Sequence, residues 1–220
     1  MLEIEWQNHH FVLMHQRALY WPEQEALLIA DPHWGKGASF RSAGLPVPAG
    51  STLDDLRRLD HALQQCGARR LLILGDGFHS ATSQAPEVHQ ALLAWRQTHA
   101  SLDITLLRGN HDRHAGDPPP RLGIQTGDSG LQLGGLFLAH LPESLGKQPG
   151  IAGHLHPGVR LWGPARQRLR LPCFWFTENH AILPAFGSFT GLSLIAPEAN
   201  QRIYVVGEDA VCPVPLASDG

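Results

Sequence analysis

In the first half of the chain the hydrophobic positions form short solid blocks. Ala26-Leu27-Leu28-Ile29-Ala30 is an apolar run ending at Asp31, the pattern of a strand buried on both faces. Over residues 51–65 the apolar residues take a helical period, with Leu53, Leu56, Leu59 and Leu63 on one stripe. Ser51 or Thr52 is placed to cap that helix, Asp54 and Asp55 lie in its first turn, and Gly67 closes it. Arg70–Leu74 repeats the buried-strand pattern and ends at Gly75-Asp76. A second helical stretch over 86–99 turns Val88, Leu92, Leu93 and Trp95 inward. A third strand, Asp103–Leu107, runs into Gly109-Asn110-His111-Asp112. Three times an apolar strand delivers a polar cluster at its C-terminal end, where open α/β sheets bind ligands.

The second half differs in character. Strand-like runs at 136–139, 168–171, 174–176, 181–183 and 203–206 are split by Gly and Pro, and no helical period emerges. Pro118-Pro119-Pro120 reads as a loop, and the residues after Val211 read as a loose tail. Further mixed or antiparallel sheet is expected there. Polar clusters of one kind occur in both halves, so a single domain over 1–220 is expected, with its site between two sheets.

Composition narrows the picture. At 43% hydrophobic and 17% charged, the 220-residue chain is globular rather than disordered and can bury a sizeable core. No apolar run approaches the roughly 18 residues of a membrane span. The start, MLEIEWQNHH, has no basic flank and no apolar block, so no signal peptide is expected. Cys66, Cys173 and Cys212 are widely spaced without a CxxC pair, which predicts buried free thiols in a reducing cytoplasm. The net charge of −3 gives no global attraction to nucleic acid, so such binding needs a local patch. Fourteen histidines are many for this length, and no run exceeds His9-His10, so neither a tag nor a His-rich tract accounts for them.

Four clusters carry chemistry: Asp31-Pro32-His33, Gly75-Asp76-Gly77-Phe78-His79, Gly109-Asn110-His111-Asp112 and Gly153-His154-Leu155-His156. Each follows an apolar run. Alone, an Asp-x-His or a His-x-His is weak, because strand-end polar residues commonly serve turns. Together they gather carboxylate, imidazole and carboxamide, a set suited to Mn²⁺, Fe or Zn²⁺ rather than Ca²⁺. Side chains two apart can share one face at a strand end. Six or more such ligands suit two ions about 3.5–4 Å apart bridged by one carboxylate.

The series Asp31-x-His33, Gly75-Asp76-x-x-His79, Gly109-Asn110-His111-Asp112, His140 and Gly153-His154-x-His156 resembles the calcineurin-like metallophosphoesterase superfamily. Asp31-Pro-His-Trp-Gly-Lys36, Arg108-Gly-Asn-His-Asp-Arg113, Gly153-His-Leu-His-Pro157, Arg170-Leu-Pro-Cys-Phe174 and Leu183-Pro-Ala-Phe-Gly-Ser-Phe-Thr190 are similar to its ligase-associated bacterial phosphoesterases. The resemblance implies an α/β fold: a four-layer α/β/β/α sandwich of two mixed sheets with the metal site at the C-terminal ends of the strands.

It also implies two divalent metal ions, Mn²⁺ foremost, with Fe or Zn²⁺ as alternatives. Asp31, His33, Asp76 and His156 would hold the first. Asp76, Asn110, His140 and His154 would hold the second, with Asp76 bridging. His111 would be catalytic, with Asp112 orienting its ring, and His79 would hydrogen-bond to a ligand. The superfamily often has Gly after its fourth-motif histidine, whereas Leu141-Pro142-Glu143 follow His140 here. Pro32 stiffens the first motif without supplying a ligand.

The implied reaction is phosphodiester hydrolysis by a metal-bridging hydroxide, with His111 stabilising charge or protonating the leaving oxygen. The implied substrate is DNA, in a repair setting with a DNA ligase and a helicase as functional associates, in the cytoplasm and without a membrane. The alternative is a small-molecule phosphohydrolase acting on a nucleotide, a nucleotide-diphosphate lipid or a phosphomonoester. A catalytically silent binding subunit would show a damaged ligand set, and every position of the set is filled. Lys36, Arg41, Arg108 and Arg113 are candidates for phosphate or backbone contacts, against the plainer reading of solvated charge. Arg160, Arg166, Arg168 and Arg170 form a basic run that is either a phosphate track or a hairpin with exposed arginines. Trp34, Trp162 and Trp175 are candidates for base stacking or for packing.

Overall fold

A computed structural model describes residues 1–47, 50–83, 85–128, 130–162 and 168–215. The first sheet runs in chain order: β1 (Leu2–Trp6), β2 (His9–Met14), β3 (Ala18–Trp21), β4 (Ala26–Ile29), β5 (Arg70–Leu74), β6 (Asp103–Leu107) and β7 (Ile124–Gly127). β1 to β4 pair antiparallel and β4 to β7 pair parallel. The parallel stretch holds the solid apolar runs read from the sequence. The three N-terminal strands lie outside that pattern, since β1 alternates apolar with glutamate and buries Ile4 and Trp6, and β2 opens on two histidines, so neither forms a solid apolar run.

Four helices lie among the described residues: α1 (Lys36–Ser42), α2 (Ser51–Cys66), α3 (Pro86–Thr98) and α4 (Asp112–Ala115). α2 differs from expectation in two ways. Its N-cap is Gly50, and Thr52 Oγ1 instead accepts the Gly35 N–H at 3.1 Å. Its buried face is Asp55, Leu56, Leu59, Ala62 and Leu63, while Leu53 is exposed. A buried carboxylate rotates the stripe because Asp55 has partners at the sheet edge, described below.

The second sheet is mixed: β8 (Leu131–Leu133), β9 (Leu136–Ala139), β10 (Gly150–Ala152), β11 (Pro157–Trp162), β12 (Arg168–Phe176), β13 (His180–Ile182), β14 (Ser193–Leu194), β15 (Arg202–Val206) and β16 (Val211–Pro213). Its path is β14-β11-β12-β13-β10-β9-β8, with β15 joining β12 to β16. Val211–Pro213 therefore form an edge strand where a loose tail was expected to begin, and residues 216–220 of that tail lie outside the described residues. On that strand Cys212 is exposed, and Cys66 is half-buried, so only Cys173 is a buried thiol. Burial pushes the Cys173 thiol up to about 12.

One core lies between the sheets, with Phe11, Leu13, Trp21, Leu28, Leu72 and Leu74 facing Leu138, Ile151, Phe174, Phe176 and Leu183. A second lies between the first sheet and the helices, with Leu27, Ile29, Leu71 and Ile73 facing Leu56, Leu59, Leu92 and Trp95. On the outer face of the second sheet the helical layer is thin. There the 3₁₀ turn Pro142–Leu145 sends Leu145 against Ala139, Ala152 and Ile182.

Candidate metal centre

The C-terminal ends of β4, β5 and β6 meet those of β9 and β10, and every metal-binding candidate stands on the loops that leave them. The loops are stitched together by backbone. Asp31 N donates to Gly75 O at 3.1 Å and His33 N to Asp76 O at 2.9 Å. Gly153 N donates to His140 O at 3.1 Å. Five of the seven candidate ligands sit at positive φ: Asp31 at 52°, His33 at 46°, Asp76 at 51°, His154 at 70° and His156 at 49°. A left-handed non-glycine residue costs about 1–2 kcal/mol, and Asp and His bear it better than most. The glycines around them make room. A Cβ on Gly75 would stand 2.1 Å from His140 Nδ1, and one on Gly109 would stand 2.1 Å from Asp76 Oδ1.

The side chains converge on three foci. Asp31, His33 and His156 offer ligand atoms within 4.8 Å of one another, and so do Asp76, His140 and His154, and His33, His79 and His111. His140 orients the second group. Its Nδ1 lies 3.0 Å from Leu74 O, an acceptor only, so Nδ1 carries the proton. The Nε2 lone pair then faces Asn110 Oδ1 at 2.9 Å, Asp76 Oδ1 at 3.5 Å and His154 Nδ1 at 3.1 Å. Electron-rich atoms aimed at one point repel unless a cation lies among them. In the first group Asp31 Oδ2 accepts from His154 N at 2.8 Å, while Asp31 Oδ1 and both ring nitrogens of His33 are buried without a hydrogen-bond partner. Native proteins rarely leave such atoms unpaired, so this donor set fits divalent metal.

The electrostatics agree. Burial, then the charges of Lys36, His156, His111 and His79, push His33 down to about 2, so the ring stays neutral and able to ligate. Burial and the His140 charge lower His154, with the carboxylates opposing. Burial raises Asp76, and the Asp31 charge adds to the rise while His140 opposes it.

Two expected roles are corrected. Asp112 does not orient the His111 ring. Its Oδ1 accepts from Phe78 N at 3.0 Å and its Oδ2 from Gly109 N at 2.8 Å, so it ties two ligand loops together. His111 Nδ1 instead lies 2.8 Å from His79 O, which leaves Nε2 toward the ligand cluster, 4.0 Å from Asp76 Oδ2. The His79 side chain bonds to no ligand. Its ring stacks on His111 with centroids 4.8 Å apart, and burial with nearby Lys36 and His111 takes it down to about 4.

The cationic candidates divide. Lys36, at the start of α1, is close enough to Asp76, His33 and His79 to perturb them or be perturbed. Arg108 is committed elsewhere: it bonds Asp117 through two nitrogens at 2.8 and 2.9 Å, Asp128 at 2.9 Å and Thr126 at 2.7 Å. Arg41 lines a separate cavity of about 220 Å³ with Ser51, Leu53 and Val88. Arg113 and His140 share a small cavity of about 70 Å³. Trp34 is buried, Trp175 Nε1 donates to Gln201 Oε1 at 2.8 Å, and only Trp162 is exposed. Arg166 lies outside the described residues.

One supporting network is invisible to motif reading. Buried Asp55 takes the Arg58 guanidinium at 2.7 Å and Ser188 N at 3.1 Å, and Arg58 also donates to Phe186 O and lies over the Phe186 ring at 4.5 Å. Phe186 N donates to Ala30 O at 2.7 Å and Gly187 N to Asp31 O at 3.2 Å, so this network clamps the backbone of the first motif.

The fold and this convergence define a metallophosphoesterase, and the chain belongs to the calcineurin-like metallophosphoesterases, metal-dependent hydrolases of phosphoesters. It is 41% identical to the nuclease MPE of Pseudomonas putida, whose crystal structure superposes with a TM-score of 0.85 over 97% of this chain and 99% of that one. A phosphoesterase of E. coli, Yfce, is 17% identical with a TM-score of 0.41, over 86% of this chain and 97% of that one. No protein-family model and no curated protein matches the chain. No described helix is long and apolar enough to cross a membrane.

Proposed function

We propose that the protein is a phosphodiesterase that cleaves nucleic acid, DNA foremost, at a centre of two divalent ions. One observation carries the reading: two groups of donors sharing one strand-end cleft, with Asp31 Oδ1 and the His33 nitrogens buried and unpaired. Asp31, His33, Asp76 and His156 would hold one ion and Asp76, Asn110, His140 and His154 the other, with Asp76 common to both. Such ions supply Lewis acidity and an acidified water.

The chain's own residues supply the rest. The His79 carbonyl holds the Nδ1 proton of His111, so Nε2, beside Asp76, is the ring atom left to exchange a proton with a phosphoryl or leaving oxygen. Asp112 holds Gly109 and Phe78 together so that His111 and Asp76 keep their spacing. That the Pseudomonas putida relative is a nuclease supports a polynucleotide substrate. The same reading takes Mn²⁺ as the metal, DNA repair as the setting, a DNA ligase and a helicase as associates, and the cytoplasm as the compartment.

The test pairs a nitrophenyl diester, a nitrophenyl monoester and a labelled DNA oligonucleotide, each with Mn²⁺, against an Asp76→Asn control. Diester and oligonucleotide hydrolysis, both lost in the control, is the expected result. Hydrolysis of the monoester alone would overturn the reading in favour of a small-molecule phosphohydrolase.

A further inference from the structure

The ribbon β11–β12 leaves the metal centre directly, since Pro157 follows His156, and Ser193 N donates to His156 O at 3.0 Å beside its root. Its register is antiparallel, with Val159 opposite Leu171, Arg160 opposite Arg170 and Trp162 opposite Arg168. Side chains alternate between faces. Val159, Leu161 and Leu171 turn to an apolar cluster with Ile203 and Val205. Arg160, Trp162, Arg168 and Arg170 therefore share the other face, and all four are exposed.

That face is odd for a solvated hairpin. Directly opposed side chains stand about 4.5–5.5 Å apart at Cβ, and like charges placed so are unfavourable. Arg160 faces Arg170 in this way, and among the described residues no carboxylate lies in ion-pair distance of Arg160, Arg168 or Arg170. Elsewhere Arg57, Arg58, Arg69 and Arg108 each have an acidic partner. The third guanidinium, Arg168, lies 4.8 Å over the ring of Trp162, which is 62% exposed. Arg160 stands four residues beyond His156, about 13 Å along an extended strand.

We propose that this face is a track for single-stranded nucleic acid. The three guanidiniums hold successive backbone phosphates and relieve their own repulsion, Trp162 stacks an unpaired base, and the strand runs on to the metal centre. The inference deepens the nucleic-acid reading of the site and rests on it.

The experiment measures anisotropy of a fluorescent single-stranded oligonucleotide across a salt series, with Asp76→Asn protein as the uncleaving background. Adding R160A, R168A and R170A should weaken binding at least tenfold near 0.1 M salt and flatten the logarithmic salt slope by about 2, from three contacts at about 0.7 each. Lysine at all three positions should keep most of the slope. Trp162→Ala should lower affinity and leave the slope alone. In the Asp76 parent, the triple alanine variant should melt at the same temperature and hydrolyse a nitrophenyl diester with unchanged kcat/KM, while its KM for the oligonucleotide rises. Unchanged oligonucleotide affinity and slope in the triple variant would overturn the track even though the centre works. Failure of the centre itself looks different: neither protein would hydrolyse diester or oligonucleotide.

Discussion

Asp76→Asn should abolish metal-dependent hydrolysis and at the same time stabilise the metal-free protein. Asp76 Oδ1 accepts His111 N at 2.9 Å, a bond that Asn Oδ1 retains. Among the described residues, the basic nitrogens within 4.0 Å of Asp76 Oδ2 are Nε2 of His33 at 3.7 Å and Nε2 of His111 at 4.0 Å. His33 is held neutral, so it gives that oxygen no counter-charge. Burial raises Asp76 above its ordinary value; the His140 charge opposes the rise and the Asp31 charge adds to it. A group whose folded pKa is raised contributes stability that is present at low pH and lost as pH rises through the folded value. Above that folded value the ionised carboxylate opposes folding, and Asn mimics the protonated form. Its amide can also donate to His33 Nε2, and Asn tolerates the left-handed backbone found here.

Relieving one uncompensated buried oxygen is worth about 1–3 kcal/mol. For a chain of this size that raises the melting temperature by about 2–4 °C per kcal/mol. The assay is thermal melting in chelator and again in Mn²⁺. The parent should gain stability from metal and the variant should gain much less, so their order reverses on loading. A variant that melts below the parent in chelator would refute the claim that the site stores unfavourable charge for the metal.

Three further outcomes follow from the packing. Gly75→Ala, at φ +82° with its Cβ 2.1 Å from His140 Nδ1, should displace that ring and lower the metal bound per chain by elemental analysis. Gly135→Ala, at φ +87° with no atom within 4 Å of its Cβ, should leave the metal content unchanged. Arg58→Ala leaves the buried Asp55 carboxylate without its ion-pair partner and should lower the urea midpoint by an amount worth about 3 kcal/mol, whereas Asp55→Asn with Arg58→Met should lose less. A thiol reagent at neutral pH should modify exposed Cys212 quickly and leave Cys173, pushed up to about 12 by burial, untouched until unfolding.

What the sequence made legible was the strand ends. Solid apolar runs at β4, β5 and β6 need burial on both faces, and the chain must turn where they stop, so Asp31, Asp76 and Asn110 had to emerge on one edge. The two sheets and the convergence of the His140 and His154 loops on that edge follow from the same rule. The residues that orient the chemistry were not legible, because their partners are backbone atoms far away in the chain. His111 takes its tautomer from a carbonyl 32 residues back, and His140 takes its own from one 66 residues back. Adjacency suggested Asp112 for the first of these, but a carboxylate one residue along at the start of α4 points back to Gly109 and Phe78, away from the preceding ring. Arg108 misled in the same way. A cation beside a metal motif suggests phosphate, yet the turns that follow bring Asp117 and Asp128 within 3 Å of it. The arginines of the β11–β12 ribbon gain meaning only from register: a basic run says nothing of pairing, whereas Arg160 directly opposite Arg170 is an arrangement that a polyanion would relieve.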